Sequence, residues 1–148
     1  MGKIIIVGAN GSIGKASAQI LRSQNRDIEI LSRNKDELKV NALELNCSSQ
    51  AIDISDHSHV DKYIQQIDFD IEGIIFAVGS IMLKPFEKTT MSEFELTYKQ
   101  NFLNPIYFTQ QAITKMSNSS SVVYFSTVAA KSGFKLHTAI ASAKSALM

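Results

Sequence analysis

Three glycines follow a short apolar run near the start of the chain, in the segment VGANGSIGK. Gly8, Gly11 and Gly14 are spaced three residues apart; they follow a predicted strand at 3–7 and open a predicted helix at 12–25. Glycines at such a turn permit a tight bend and a close approach of the backbone to a pyrophosphate. The N–H groups of the first helical turn would then face the anion. The segment therefore predicts a nucleotide-binding turn.

The end of the second predicted strand bears on which dinucleotide such a turn would hold. Ser32 and Arg33 lie there, about 20 residues after the glycines, and no carboxylate stands between Ser32 and Asp36. A carboxylate at this point would repel a 2′-phosphate, whereas an arginine can pair with it through two hydrogen bonds. The pattern favours NADP(H) over NAD(H). The alternative is that Arg33 is a surface residue in an ordinary salt bridge.

Apolar runs alternate with segments of helical period along the chain. The predicted strands are 3–7, 27–32, 47–54, 72–78 and 121–126. The predicted helices are 12–25, 35–46, 56–67, 90–116 and a last one that begins near His137. Strands that alternate with helices in this way predict an α/β fold, a doubly wound parallel sheet with helices on both faces.

Local signals refine this outline. In the first helix the apolar spacing is carried by Ile13, Ala16, Ile20 and Leu21. Asp56 is placed to cap the third helix. We expect the long helix 90–116 to be interrupted at Asn104–Pro105 and the segment SNSSS at 117–121 to be a polar turn.

Composition excludes several classes of function. The 148 residues carry a net charge of +1 with the two signs interspersed, so we expect no nucleic-acid partner. No apolar run approaches the roughly 20 residues that span a bilayer, so we expect no membrane segment. The single Cys47 has no internal disulfide partner and no metal-ligand spacing around it. We therefore expect no metal and a cytoplasmic location, and we interpret residues 1–148 as one domain.

Several motifs occur together and in a fixed order: VGANGSIGK, LSRN, DIS, FAVG, NFLNP, FSTVAAKSGF and HTAIASAKSAL. In this order and at these spacings the chain resembles the short-chain dehydrogenase/reductase family over its whole length. The resemblance implies a Rossmann-type NAD(P)-binding domain. It also implies an oxidoreductase that acts on a carbonyl or alcohol substrate.

The resemblance also assigns roles to residues. It implies a pyrophosphate and ribose turn made of Gly8, Asn10, Gly11, Ser12, Ile13 and Gly14, adenine contacts from Asp53 and Ile54, and a turn after the fourth strand made of Ala77, Val78 and Gly79. The commoner family form has Gly where Ser12 stands and Asn where Ala77 stands. Asn101 matches the Asn that supports the active-site Lys through water, and an Asn inside a helix is locally unfavourable, which independently suggests a role. Lys144 matches that Lys, which binds the nicotinamide ribose and lowers the pKa of a nearby Tyr.

The chain departs from the family at two catalytic positions. The family has a Tyr four residues before the Lys and a Ser thirteen residues before that Tyr; these positions are Ile140 and Thr127 here. Thr127 keeps a hydroxyl that can hold a substrate carbonyl, and Ser126 is adjacent. Ile140 cannot donate a proton, so we expect the family's proton donor to be missing. His137, on the same predicted helix, is an alternative donor.

Family members continue past this helix into two more strands and a substrate-covering segment. We therefore expect a Rossmann fold that is truncated after the fifth strand and the start of the following helix, inactive as 148 residues and slow as a full-length protein. A non-catalytic dinucleotide-binding protein is the alternative function. The small residues of the last helix and the aromatic residues of 90–116 correspond to the family's dimer contact, which predicts a homodimer or homotetramer at full length.

Overall fold

A five-stranded sheet forms the centre of the fold in the computed structural model, which describes residues 2–148. The strands are β1 (Lys3–Val7), β2 (Ile28–Ser32), β3 (Ser48–Ala51), β4 (Ile71–Phe76) and β5 (Met116–Tyr124). Their order across the sheet is β3-β2-β1-β4-β5, and β1 pairs in parallel with both β2 and β4. The chain order reverses between β1 and β4, which defines the topological switch point where Rossmann folds bind their ligands.

Six α-helices connect or follow these strands. They are α1 (Ser12–Ser23), α2 (Lys35–Leu45), α3 (His57–Gln66), α4 (Met91–Tyr98), α5 (Asn104–Ala112) and α6 (Thr138–Ser145). The side chain of Asn34 caps α2, and Asp56 caps α3 by accepting a 2.9 Å hydrogen bond from the Ser58 N–H, as the sequence predicts. Thr90 and Glu93 form a capping box at the start of α4.

The predicted helix 90–116 is interrupted next to Asn104–Pro105, as the sequence predicts, and the interruption begins at Lys99. A π turn at Lys99–Leu103 separates α4 from α5, and a 3-10 turn at Ile113–Lys115 follows α5. Pro105 explains the break, since its ring lacks an N–H and would clash with the carbonyl of residue 101 in a continuous helix. With α5 beginning at Asn104, Pro105 falls in the first turn of that helix, where no N–H is needed.

Two other expectations, for the segment 117–121 and for the apolar face of α1, are wrong in detail. The segment 117–121 is not a turn, because β5 begins at Met116 and includes it. As the last strand in the sheet order, β5 is an edge strand, and its serines and asparagine suit a half-exposed position. In α1 the buried residues are Gly14 and Ala18, whereas Ile13 and Ile20 are 52% and 58% exposed. Small residues let this helix approach the sheet closely.

The described chain divides into two compact units. The first, which we call the sheet unit, comprises the chain up to Val78 together with Phe108–Val123. Its core is a cluster of buried aliphatic residues from the strands, α1 and α2, including Ile4, Ile6, Ala18, Ile28, Ile30 and Leu38. The ring of Phe108 also packs edge-on against Phe76, with 5.5 Å between the ring centres.

The second, which we call the lysine unit, comprises Gly79–Tyr107 and Tyr124–Met148. Here α6 packs against α4, the π turn and a 3-10 turn at Val128–Ala130. The buried residues of α6 are Ala139, Ile140, Ala143 and Lys144. Among the described residues, no helix combines the length and the apolar composition needed to cross a bilayer.

Candidate functional site

The glycine turn lies at the switch point of the sheet, directly after β1. Gly8 has a φ of +89°, a conformation that side chains other than glycine rarely adopt. A Cβ there would lie 2.7 Å from the carbonyl oxygen of Ala77 and 2.8 Å from Cγ1 of Val78. A Cβ on Gly14 would overlap the Gly8 carbonyl. Both glycines are therefore required by the close packing of the turn.

Gly11 differs from the other two glycines. The nearest atom to a Cβ built on it is the Gly8 carbonyl oxygen at 3.4 Å, an ordinary contact, so the protein alone has room for a side chain here. Gly11 is the N-cap of α1, yet no side chain caps that helix and its first turn contains no acid. Ser12 and Ile13 are exposed. This arrangement leaves the positive end of α1 open to an anion.

The Asn10 side chain takes a structural role that the sequence does not indicate. Its Nδ2 donates to the carbonyl of Asn34 at 3.2 Å, and its Oδ1 accepts from Nδ2 of Asn41 at 3.1 Å. Both ends of the amide thus fasten the glycine turn to α2. Asn41 is 4% exposed inside α2, and a buried Asn in a helix interior is the signal that could have identified this partnership.

Ser32 and Arg33 lie where β2 ends and α2 begins. Ser32 is the last residue of β2, and Arg33 is exposed just before the N-cap Asn34. The Arg33 guanidinium is close enough to Asp53 to influence its ionisation. The guanidinium therefore lies at the surface of the sheet unit, on the same side as the residues that follow β3.

Asp53 and Ile54 follow β3. Asp53 accepts hydrogen bonds from the Ser55 N–H at 2.9 Å and the Ser55 hydroxyl at 2.7 Å. Partial burial raises the pKa of Asp53, but these bonds, together with the charge of Arg33, outweigh burial and hold the pKa below its ordinary value. Asp53 is therefore a charged hydrogen-bond acceptor, and Ile54 beside it is buried.

The residues after β4 complete the edge of the glycine turn. The Ala77 N–H donates to the Val7 carbonyl at 2.8 Å, which ties the segment to β1. The Ala77 carbonyl and the Val78 side chain then border Gly8, as described above. The sheet unit thus brings the predicted residues Gly8, Gly14, Ala77 and Val78 into contact.

In the lysine unit, Asn101 is fully buried within the π turn. Its Oδ1 accepts from the Ser80 N–H at 3.2 Å, and its Nδ2 donates to the carbonyls of Ser80 and Thr97 at 3.1 and 2.9 Å. The side chain therefore holds the segment after Gly79 against the helix. Irregular π turns of this kind often occur at functional sites. Ser80 and Thr97 are partners for which the sequence carried no signal.

Gly79, Asn101 and Lys144 meet at one point of the lysine unit. A Cβ on Gly79 would lie 2.7 Å from Oδ1 of Asn101, 3.4 Å from Nζ of Lys144 and 3.6 Å from its Cε. Lys144 is 9% exposed, and burial lowers its pKa. The backbone at Gly79 thus packs directly against a buried amide and lies close to a buried amine, and a side chain there would meet both.

Two hydroxyl groups lie in the segment between β5 and α6. The Ser126 hydroxyl donates to the backbone carbonyl of Lys144 at 3.0 Å, which fastens this segment to the last turn of α6. The Thr127 hydroxyl caps the following 3-10 turn by accepting from the Ala129 N–H at 3.3 Å. The Thr127 side chain is half-buried and keeps its own proton available for donation.

Ile140 and His137 complete the description of α6. Ile140 is 5% exposed and lies one helical turn before Lys144. His137 is the N-cap of α6, and its Nδ1 lies 2.7 Å from the Lys135 carbonyl, which makes that nitrogen a donor. Its ring also packs edge-on against Phe134. The imidazole is therefore held by the segment that precedes α6.

The strand order and the glycine turn at the switch point define a Rossmann-type α/β fold. A sequence model of the short chain dehydrogenase family matches residues 2–148, so the chain belongs to this family. The prediction of family and of fold class is confirmed.

Relatives and solved structures agree with this assignment. The chain is 25% identical over 159 residues to mouse 3-ketodihydrosphingosine reductase, covering 97% of this chain and 48% of the mouse protein. It is 25% identical over 138 residues to an uncharacterized oxidoreductase of Staphylococcus aureus USA300, covering 89% of this chain and 59% of that protein. The chain thus spans about half to three-fifths of the length of these relatives.

Among solved structures, a short-chain dehydrogenase/reductase from Brucella melitensis superposes with a TM-score of 0.91 at 20% identity, covering 99% of this chain and 62% of that one. A short-chain type dehydrogenase/reductase from Mycobacterium ulcerans superposes with a TM-score of 0.89 at 20% identity, covering 99% and 58%. At this level of identity the likeness concerns the fold.

Proposed function

We propose that this chain belongs to an NADP(H)-dependent oxidoreductase that acts on a carbonyl or alcohol substrate. The observation that carries the proposal is the grouping of Gly79, Asn101 and Lys144, because it keeps the amine and the amide of the family's active site together. The curated relatives include one named as a reductase and one named as an oxidoreductase, which supports the same reaction class.

The residues of the sheet unit fit the dinucleotide that this family uses. The uncapped start of α1 suits a pyrophosphate, with Gly8, Gly11, Ser12, Ile13 and Gly14 as the residues that would hold it. Arg33 and Ser32 would hold the 2′-phosphate of NADP(H), and Asp53 and Ile54 would contact the adenine. Asn10 would contribute through its backbone, since its side chain is bound to α2.

In the lysine unit, Lys144 would hold the nicotinamide ribose, and the absence of a side chain at Gly79 would let the ring approach. In the sheet unit, Ala77 and Val78 would contact the cofactor beside Gly8. When bound, the nicotinamide supplies or accepts the hydride. Thr127 would donate a hydrogen bond to the substrate carbonyl oxygen and so polarise it. Asn101 would act as a positioning residue, because its hydrogen bonds fix the backbone after Gly79.

The test is cofactor-dependent turnover by the protein expressed from its complete reading frame. NADPH oxidation is followed with a panel of ketones and aldehydes that includes 3-ketodihydrosphingosine, and NADP⁺ reduction with the matching alcohols. Binding of NADPH and NADH is measured separately by fluorescence. Turnover with at least one carbonyl, at higher affinity for NADPH than for NADH, is the expected result.

A second function has one specific observation in its favour. Ile140 occupies the position of the family's catalytic Tyr and is buried, so the chain could belong to a non-catalytic dinucleotide-binding protein, such as a sensor or a partner subunit. Binding of NADPH with no turnover across the whole panel would favour this alternative over the oxidoreductase.

We also propose that residues 1–148 belong to a single NAD(P)-binding domain, and that the complete protein is a cytoplasmic homodimer or homotetramer. Exposed apolar side chains on and next to α5, at Leu103 and Ile106, support the assembly. Ala139 and Ala143, which the sequence suggested for the contact, are buried within the chain and support it less directly. Light scattering at micromolar concentration tests the assembly, and a monomer contradicts it.

A further inference from the structure

The buried neighbours of Lys144 on its own helix, α6, are apolar. Ile140 precedes it by one turn on the same buried face of α6, and Ala143 beside it is fully buried. Its amine nevertheless lies close to Gly79, where a Cβ would be 3.4 Å from Nζ. Gly79 itself is exposed. The amine of Lys144 is therefore buried but lies beside an exposed stretch of backbone.

The charges around α6 do not explain the behaviour of this amine. The elements that pack against α6 carry Glu93, Glu95 and Tyr98 on α4 and Lys99 on the π turn, and the 3-10 turn at Val128–Ala130 carries no titratable group. The Glu93 carboxylate is bound by the Lys84 ammonium, with N–O distances of 2.7 and 2.8 Å. Burial is the cause that lowers the pKa of Lys144. Desolvation of an ammonium makes it a stronger acid.

The other donors near this point have different roles. The Ser126 hydroxyl donates to the Lys144 carbonyl, and the His137 imidazole is held by Lys135 and Phe134. Ile140 has no proton to give, and the Thr127 hydroxyl, which would hold the carbonyl oxygen, is too weak an acid to release its proton. The acidic proton next to Gly79 is therefore the one carried by Lys144.

We propose that Lys144 is itself the proton donor of this site, in the role for which the family uses a tyrosine; this inference rests on the proposed oxidoreductase function. As the carbonyl carbon receives a hydride from a reduced nicotinamide dinucleotide, an N–H bond of the Lys144 ammonium breaks and an O–H bond forms on the carbonyl oxygen. The products are the alcohol and the oxidised dinucleotide. Lys144 is left as a neutral amine and takes a proton from solvent before the next turnover.

The first experiment measures the amine without any turnover. The protein expressed from its complete reading frame is acetylated briefly at a series of pH values, and the label on Lys144 is quantified by mass spectrometry against an N-acetyl-lysine amide in the same sample. We expect the labelling midpoint of Lys144 to lie below that of the free reference compound. A midpoint at or above the reference overturns the proposal.

The second experiment separates proton donation from binding. Lys144→Arg keeps a positive charge and several hydrogen-bond donors, but arginine does not release a proton at working pH. We expect this variant to bind NADPH within about fivefold of wild type and to lose at least about 100-fold in turnover, the lower end of what a general acid contributes. Carbonyl reduction by wild type should decline with rising pH at the midpoint found by labelling. Lys131→Arg, the same change at an exposed lysine, is the matched control and should stay within about twofold of wild type.

The outcomes distinguish this proposal from the one on which it rests. Turnover by Lys144→Arg within about threefold of wild type overturns the role of Lys144 and leaves the oxidoreductase function standing. A large loss in His137→Ala also overturns it, by naming the imidazole as the donor. Wild-type protein that binds NADPH and reduces no carbonyl overturns the oxidoreductase function, and the role of Lys144 with it.

Discussion

A Cβ atom on Gly8 would lie 2.7 Å from the carbonyl oxygen of Ala77. This proximity links the end of β1 to the end of β4 at the point where the strand order reverses. The glycines of this motif are present for different reasons: Gly8 is required by the fold, whereas Gly11 has room for a side chain. Substitutions at the two positions should therefore fail in different ways.

Gly8→Ala should destabilise the protein by about 2 kcal/mol or more, because it combines an unfavourable backbone conformation with a steric clash. Gly11→Ala should change the free energy of unfolding by about 1 kcal/mol or less, which is the scale of an N-cap replacement. It should nevertheless weaken NADPH binding about tenfold, because the added methyl group blocks the close approach of the pyrophosphate to the backbone. Urea unfolding and fluorescence titration measure the two effects. Equal loss of stability in both variants would contradict this division.

Arg33 should determine the preference for NADPH over NADH. Removal of a charge-assisted hydrogen bond costs about 1.5–3 kcal/mol, so Arg33→Ala should weaken NADPH binding by roughly 10- to 150-fold. NADH, which lacks the 2′-phosphate, should bind almost as before. Both affinities are measured by titration at two salt concentrations, and the loss should be smaller at high salt.

Arg26→Ala is the matched control for Arg33, since Arg26 is a half-exposed arginine of the same unit that pairs with Glu72 at 2.7 Å. It should leave both affinities unchanged. If wild-type protein binds NADPH and NADH equally well, Arg33 does not read the 2′-phosphate.

Much of the sheet unit could be predicted from local sequence. The β-branched run at 3–7 forms β1 with the same bounds, and the glycine turn and the Asp56 cap lie where their residue types indicate. These features depend on interactions over a few residues, so a short window of sequence contains the necessary information.

What the sequence could not show depends on contacts between distant segments. Asn10 matches a cofactor-binding position, but its amide is used by Asn34 and Asn41, which lie 24 and 31 residues away. Asn101 lies in the π turn before Pro105, and its partner Ser80 is 21 residues away in the sequence. Likewise, the burial of Lys144 depends on the elements that pack against α6.

Asn101 should contribute strongly to stability as well as to positioning. Asn101→Ala leaves the Ser80 N–H and the carbonyls of Ser80 and Thr97 without their side-chain partner. Each buried polar group that is left unsatisfied costs about 1–3 kcal/mol. We expect a loss of about 2–4 kcal/mol in the free energy of unfolding. Lys99→Ala, an exposed position in the same π turn, is the control and should have little effect. A loss of equal size in both variants would show that the turn, not the amide, is responsible.

Glu29 gives the stability a defined pH dependence. It is 9% exposed in β2, and burial raises its pKa, with Lys3 opposing and Asp68 and Asp27 adding to the increase. A raised pKa in the folded state means that the folded chain binds more protons than the unfolded chain between the ordinary and the raised value. Stability from this group is therefore complete below the ordinary pKa and is lost as pH rises through the raised one.

Glu29→Gln removes this charge and should make the protein more stable than wild type at pH 8, with the difference shrinking as pH falls to 4. Urea unfolding at a series of pH values measures it. Glu95→Gln, on the exposed surface of α4, should give no such pH-dependent gain. A Glu29→Gln variant that is less stable than wild type at pH 8 would mean that the pairing with Lys3 outweighs the cost of burial.

Ile140→Tyr should restore the hydroxyl that the family places one turn before the lysine. Because Ile140 is buried, a larger ring disturbs packing whatever its chemistry, so Ile140→Phe is the control that carries the same ring without the hydroxyl. We expect the Tyr variant to reduce carbonyls at least about tenfold faster than the Phe variant, since a positioned acid contributes about 10²–10⁴-fold in favourable cases. Steady-state NADPH oxidation, with NADPH binding measured in parallel, tests this expectation. Equal rates in the Tyr and Phe variants would show that a hydroxyl at position 140 does not reach the reacting oxygen.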